Sequence, residues 1–235
     1  MSHDPKVIVA LDYADEKEAL AFVDKVDPRF CNLKVGKELF TTAGPRFVEK
    51  LVNKDFRVFL DLKFHDIPNT VAKACTAAAN LGVWIVNVHA LGGPKMLEAA
   101  AEAVSFSHDR PKLIAVTVLT SMDEDQLHAV GLNVSPALEV ERLAKLAKDC
   151  GLDGVVASAR EVPIIRTFAP RPFLTVTPGI RPAGSDIGDQ KRVMTPGEAI
   201  QAGSDYLVIG RPITKADDPL KALDAVNQEI EKALC

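Results

Sequence analysis

The sequence predicts an α/β fold, a (β/α)8 barrel (a TIM barrel) formed by one domain over residues 1–235. Three observations carry that expectation. Eight short apolar runs recur along the chain, separated by longer amphipathic stretches with helix-starting residues at their heads. The runs are apolar almost throughout rather than alternating, as parallel strands covered on their outer face are. The length, 235 residues, suits one large domain and comes close to the ~250 residues typical of such barrels. An open, doubly wound sheet is the competing architecture, but the Gly-x-Gly-x-x-Gly turn it would carry after its first strand is missing. No linker, low-complexity tract or charge block divides the chain.

The elements follow in order. A first strand is expected over 7–11, and Asp15 with Glu18 three residues later forms a capping-box pattern for the helix after it. A second strand covers 32–35 and a third 57–62, after which Pro68 opens a helix that stops near Gly82. The fourth and fifth strands cover 84–89 and 113–118. A long connection over 120–136 follows, with a short helix near 123–129. Ser135-Pro136 then starts a helix that ends at Gly151. The sixth and seventh strands cover 154–157 and 173–176. Residues 177–195 are rich in Gly, Pro and polar side chains, and a loop of that length in a compact domain is often a lid. Thr195-Pro196 with Glu198 opens a helix ending near Gly203. The eighth strand covers 206–209, and Asp218-Pro219 begins the last helix.

Composition narrows the function. With 47% hydrophobic and 26% charged residues the chain reads as a soluble globular protein, and a net charge of −4 offers no basic field for nucleic acid. No apolar stretch approaches the roughly 18–20 residues that span a bilayer, and the N-terminus lacks the apolar segment of a signal peptide. Cys31, Cys75, Cys150 and Cys235 are scattered without a Cys-x-x-Cys pair, which points to free thiols in a reducing cytoplasm. The five histidines have no metal-ligand spacing and no P-loop is present, so no metal site is expected, although barrel carboxylates can hold Mg²⁺ without a linear signature.

In barrels of this kind the chemistry sits at the C-terminal strand ends. Those ends bring Asp12, Lys34, Asp61 and Lys63, His89, Thr120 and Ser121, Pro178 and Arg181, and Gly210-Arg211. Asp61 and Lys63 are two apart on one strand, so alternation points both into one space, with Asp66 just before the next helix. Folding alone does not demand such a pair, because exposed ion pairs stabilise little. Plainer roles exist for each: Asp12 could simply start a loop, Lys34 could lead its stem out to solvent, and His89 reads better as a core or supporting histidine than as a catalyst. Arg211 offers a planar fork for phosphate beside Gly210, with Arg181 as a second cation from the lid.

The block Asp61-Leu-Lys63-Phe-His-Asp66-Ile-Pro-Asn-Thr70 resembles the signature of the orotidine 5′-monophosphate decarboxylases in their bacterial form. Val9-Ala-Leu-Asp12, Leu33-Lys34-Val-Gly, Leu119-Thr120-Ser121, Thr177-Pro178-Gly-Ile-Arg181-Pro and Val208-Ile-Gly210-Arg211-Pro-Ile resemble the remaining motifs in order, along the length of the chain. The shorter Asp-x-Lys-x-x-Asp core is shared with Mg²⁺-dependent sugar-phosphate decarboxylases and hexulose-phosphate synthases. The resemblance implies conversion of orotidine 5′-monophosphate (OMP) to uridine 5′-monophosphate (UMP) and CO2, the last step of pyrimidine nucleotide synthesis. No cofactor is implied. It further implies a homodimer in which Asp66 and Thr70 reach the partner's site. Asp12 and Lys34 would contact the ribose, Thr120 and Ser121 the pyrimidine, and Arg181, Gln190, Gly210 and Arg211 the phosphate, with Gln190 on the closing lid. For that chemistry Lys63 is the expected proton donor, within a charge network of Lys34, Asp61 and Asp66. A Mg²⁺-dependent sugar-phosphate lyase and a catalytically silent nucleotide-binding protein are the alternatives on the same barrel.

Overall fold

The computed structural model describes residues 4–183 and 193–234. In it the chain closes a barrel of parallel strands in sequence order: β1 (Val7–Ala10), β2 (Asn32–Gly36), β3 (Val58–Phe64), β4 (Ile85–His89), β5 (Lys112–Val116), β6 (Gly154–Val156), β7 (Leu174–Thr177) and β8 (Tyr206–Ile209), with β8 pairing back onto β1. The helices α1 (Glu16–Val23), α2 (Lys37–Ala43), α3 (Pro45–Val52), α4 (Pro68–Asn80) and α5 (Pro94–Ser105) fill the first four crossovers. After them come α6 (Glu124–Ala129), α7 (Pro136–Asp149), α8 (Val162–Phe168), α9 (Pro196–Gln201), α10 (Arg211–Thr214) and α11 (Pro219–Leu234). The expected barrel is the observed one. The largest boundary changes are at β3, which runs on through Phe64, and at β5, which ends at Val116.

Helix starts follow their cap residues. Thr195 with Glu198, and Asp123 with Gln126, close both halves of a capping box. At α1, Asp15 accepts the Glu18 amide at 2.9 Å. Ser135 caps α7. Gly151 takes φ +78° just past the end of α7, a conformation that a side chain would resist.

Alternation along each strand divides the core into two layers. On β1, Val7 and Val9 point outward into a large cluster beneath the helices, which also takes in Leu33, Val58, Leu60 and Val86. Ile8 and Ala10 point inward to a smaller cluster with Phe59, Ile85, Ile114, Val176 and Val208. That inner cluster makes the barrel a packed core rather than a pore.

The N-terminal end of the barrel is plugged. Trp84 and Tyr206 meet edge to face with ring centroids 4.8 Å apart. The Arg57 guanidinium lies 4.3 Å from the Trp84 ring centroid, donates to Asn32 Oδ1 at 2.8 Å and pairs with Asp4 at 2.8 Å. The Tyr206 hydroxyl donates to Asp4 at 2.9 Å. Stacking, cation–π contact and ion pair act together on one cluster.

Candidate active site

At the opposite end, four charged side chains from three strands converge. Lys34, on the inward face of β2, places Nζ 3.3 Å from Asp61 Oδ2 and 3.7 Å from Asp12 Oδ1. Lys63 places Nζ 2.6 Å from Asp61 Oδ1. Lys34 and Asp61 are each only 9% exposed, so charges this deep need one another. Lys34 therefore does not lead its stem out to solvent.

The local cause of this meeting is more than strand alternation. Leu60 pairs with Val86 and Phe64 with Val88, so four residues of β3 span what two cover on β4. The chain arches there, and Lys63 takes φ +53°, a left-handed conformation that costs a non-glycine residue on the order of 1 kcal/mol. Asn87, fully buried between Val86 and Val88, fills the gap. Its Oδ1 accepts the Lys63 amide at 2.8 Å, and its Nδ2 donates to Asp61 Oδ1 at 2.7 Å. The sequence reading did not single out Asn87. Its signal was a carboxamide at an inward position of an otherwise apolar strand, where an unsatisfied polar group is expensive.

Electrostatics keep Asp61 ionised. Burial opposes charge on Asp61, but the ammoniums of Lys34 and Lys63 and the bonds from Lys63 and Asn87 outweigh it, leaving the carboxyl below its ordinary range. His89, at the end of β4, stacks on His65 with centroids 5.3 Å apart. Burial, helped by His65, Lys63 and Lys37, pushes its pKa down to about 4, so it is neutral near pH 7. That fits a supporting histidine, as expected.

Asp12, Lys34, Asp61 and Lys63 line one wall of a cavity of about 260 Å³. Phe59, Val116, Val156 and Val208 form its apolar floor, and Thr120, Ser121, Pro178, Arg181, Gly210 and Arg211 complete its rim. A Cβ at Gly210 would lie 2.8 Å from Asp12 Oδ2. Across the mouth, Ile180 and Met194 form a parallel bridge, and the Arg181 amide donates to the Met194 carbonyl at 3.0 Å, pinning together the two ends of the long connection after β7.

Ten of the expected residues thus share one cavity: Asp12, Lys34, Asp61, Lys63, Thr120, Ser121, Pro178, Arg181, Gly210 and Arg211. Asp66 and Thr70 do not line it. Both are exposed, Asp66 on the turn into α4 and Thr70 in its first turn; Asp66 Oδ1 accepts the Ile67 amide at 2.6 Å, and Ile67 is 67% exposed. Gln190 lies outside the described residues. Among the described residues, no group of three or more His, Cys, Asp or Glu side chains is arranged to hold a metal ion.

Known proteins share both the sequence and the shape. Residues 5–226 match the profile of the "Orotidine 5'-phosphate decarboxylase / HUMPS family". A protein of Pseudoalteromonas atlantica named orotidine 5'-phosphate decarboxylase is 62% identical over 228 residues, covering 97% of this chain and 99% of its own. One of that name from Psychromonas ingrahamii is 59% identical over 228 residues, covering 97% of each. The crystal structure of orotidine 5'-phosphate decarboxylase from Lactobacillus acidophilus superposes with a TM-score of 0.86 at 41% identity, over 97% of this chain and 99% of that one.

Proposed function

This chain belongs to the orotidine 5′-phosphate decarboxylase / HUMPS family and is a carboxy-lyase, and from that premise we propose that it converts OMP to UMP and CO2 with Lys63 as the proton donor. The step serves pyrimidine biosynthesis. The observation that carries the reading is the Lys34–Asp61–Lys63 cluster, two ammoniums on one buried carboxylate at the edge of a cavity sized for a small molecule.

Loss of CO2 from C6 of the pyrimidine leaves an electron pair in the ring plane, where the ring carbonyls cannot readily delocalise it. A fixed ammonium beside C6 stabilises that pair by charge and then donates a proton to it, so the broken C–C bond is replaced by a C–H bond. Lys63 fills this role. Asp61, held ionised, lies against the Lys63 amine and beside the departing carboxylate. Asp12 and Lys34 bind the ribose hydroxyls. Thr120 and Ser121 read the pyrimidine edge. Arg181, Gly210 and Arg211, with Gln190, grip the phosphate, and Pro178 shapes the entrance. Phosphate binding remote from C6 supplies free energy that closes the site and holds the network.

The working unit is a homodimer in which Asp66 and Thr70 serve the partner's cavity. Their exposure on the turn beside the exposed apolar Ile67 supports this. The enzyme acts in the cytoplasm and needs neither nucleic acid nor membrane. The thiols of Cys31 and Cys75 are free and buried, and among the described residues no helix is long and apolar enough to cross a membrane.

The decisive experiment follows loss of OMP absorbance by the purified protein in chelator-treated buffer. Turnover is expected. No turnover overturns the proposal, and activity that appears only with added Mg²⁺, on a sugar phosphate, favours the other branch of the family. One observation weighs against that branch: Asp61 already has Lys34, Lys63 and Asn87 around its two oxygens, leaving little room for a metal.

A further inference from the structure

We infer that Asn87 is the positioning residue of this site, holding the Asp61 carboxylate and the Lys63 main chain with one amide, and that the rate of the chemical step depends on this grip. The inference rests on the proton-donor reading of Lys63.

In a regular parallel pair, β4 would offer backbone carbonyls to alternate amides of β3. The arch between Leu60 and Phe64 breaks that ladder beside Lys63. Asn87 replaces the lost partner with its side chain. The orientation of the carboxamide follows from its partners: a backbone N–H only donates and an ionised carboxylate only accepts, so Oδ1 faces Lys63 and Nδ2 faces Asp61. On the other flank of β4, the β5 residue in register with Asn87 is Ile114, which has no side-chain polar group to offer.

Asn87 therefore couples two things that the proposed chemistry needs together. It fixes which Asp61 oxygen meets Lys63 Nζ, and it holds the left-handed backbone from which Lys63 projects. Without the amide, Asp61 is free to rotate about its side chain toward Lys34, and Lys63 is free to relax into an ordinary strand conformation. A misplacement of about 1 Å at a reacting group can reduce the rate on the order of 10²-fold. Arg181 lies on the loop after β7 and Arg211 at the start of α10 after β8, and Asn87 bonds to neither, so substrate affinity should change little.

The test compares wild type, Asn87→Ala and Asn87→Asp by steady-state kinetics, urea unfolding and amide hydrogen exchange at Lys63. Asn87→Ala should lower kcat on the order of 10²-fold while KM stays within about threefold, and its Lys63 amide should exchange faster while those of β1 stay protected. Asn87→Asp keeps an acceptor for the Lys63 amide but sets a second carboxyl against Asp61. Protonating that carboxyl restores the lost donor, so the variant should regain activity relative to Asn87→Ala as pH falls. The charged groups around it are Asp61 and Lys63 on β3 and Lys34 beyond Asp61 on β2, and the neutral but titratable His89 lies on its own strand. A lowered urea midpoint with unchanged kcat would make Asn87 merely structural and overturn the inference, as would an effect confined to KM or no acid recovery in Asn87→Asp. If neither variant folds, the wild type still decides: a Lys63 amide exchanging at the unprotected rate overturns the clamp. The exchange readout needs no substrate. A wild type inactive on OMP with a protected Lys63 amide therefore refutes the decarboxylase reading and the rate dependence built on it, but leaves the clamp standing.

Discussion

The ammonium of Lys63 stands 2.6 Å from Oδ1 of Asp61, and both side chains leave the same strand two residues apart. The proposed acid and its carboxylate neighbour are thus parts of one short arch, and neither depends on a distant loop to find the other.

Removing the amine should stop the reaction while sparing recognition. Lys63→Ala is expected to lower kcat by at least about 10³-fold, within the range that general acids contribute, while UMP still binds with a Kd within about tenfold of wild type, because the phosphate contacts are untouched. Stopped assays and calorimetric titration with UMP check this. Substantial residual turnover would remove Lys63 from the acid role.

Arg211 should act on rate as well as affinity. Arg211→Ala is expected to raise KM and also to lower kcat by about tenfold or more at saturating substrate, since phosphate binding is used to hold the closed site. A change in KM alone would show that the phosphate serves only as an anchor.

Shared sites predict rescue between two dead proteins. Homodimers of Lys63→Ala and of Asp66→Ala should each be nearly inactive. Verified heterodimers should recover up to about half the activity per site pair, because one of the two sites then has both residues. Heterodimers as inactive as their parents would place Asp66 and Lys63 in the same subunit's cavity.

His89 should make the fold acid-sensitive. Its pKa is about 4 in the folded protein against 6.5 ordinarily. Between those values the unfolded chain binds more protons, so stability rises with pH across the window and is lost as pH falls through it. The side chain is partly solvent-facing, so the contribution should be on the order of 1 kcal/mol. Urea midpoints at about pH 7 and pH 5 should differ less in His89→Gln than in wild type. Equal differences would show that His89 does not carry the effect.

The barrel and much of the cavity were legible in the sequence because each leaves a linear mark. Near-continuous apolar runs such as 206–209 give the strands, and charged residues at their ends, Lys34 and Asp61 among them, give the wall of the site. What stayed hidden depends on pairings that no single strand displays. Alternation explains why Asp61 and Lys63 face the same way, but no glycine marks the left-handed turn at Lys63, and a lone Asn87 within Ile85–His89 says nothing of which neighbour it holds. Nor does any single strand display that the Cβ missing at Gly210 leaves room for Asp12 across the β8–β1 seam. The setting of Asp66 is illegible for another reason: its expected partners belong to a second molecule.

The aromatic and arginine stopper of Trp84, Tyr206 and Arg57 has a consequence for traffic. With the lower opening sealed and the bore filled by Phe59, Ile85 and Ile114, the described part of the protein offers no back exit. Nucleotide and released gas must use the same doorway in turn. Departure of the small product is then tied to that doorway, and a wider entrance would speed escape at the expense of dryness inside.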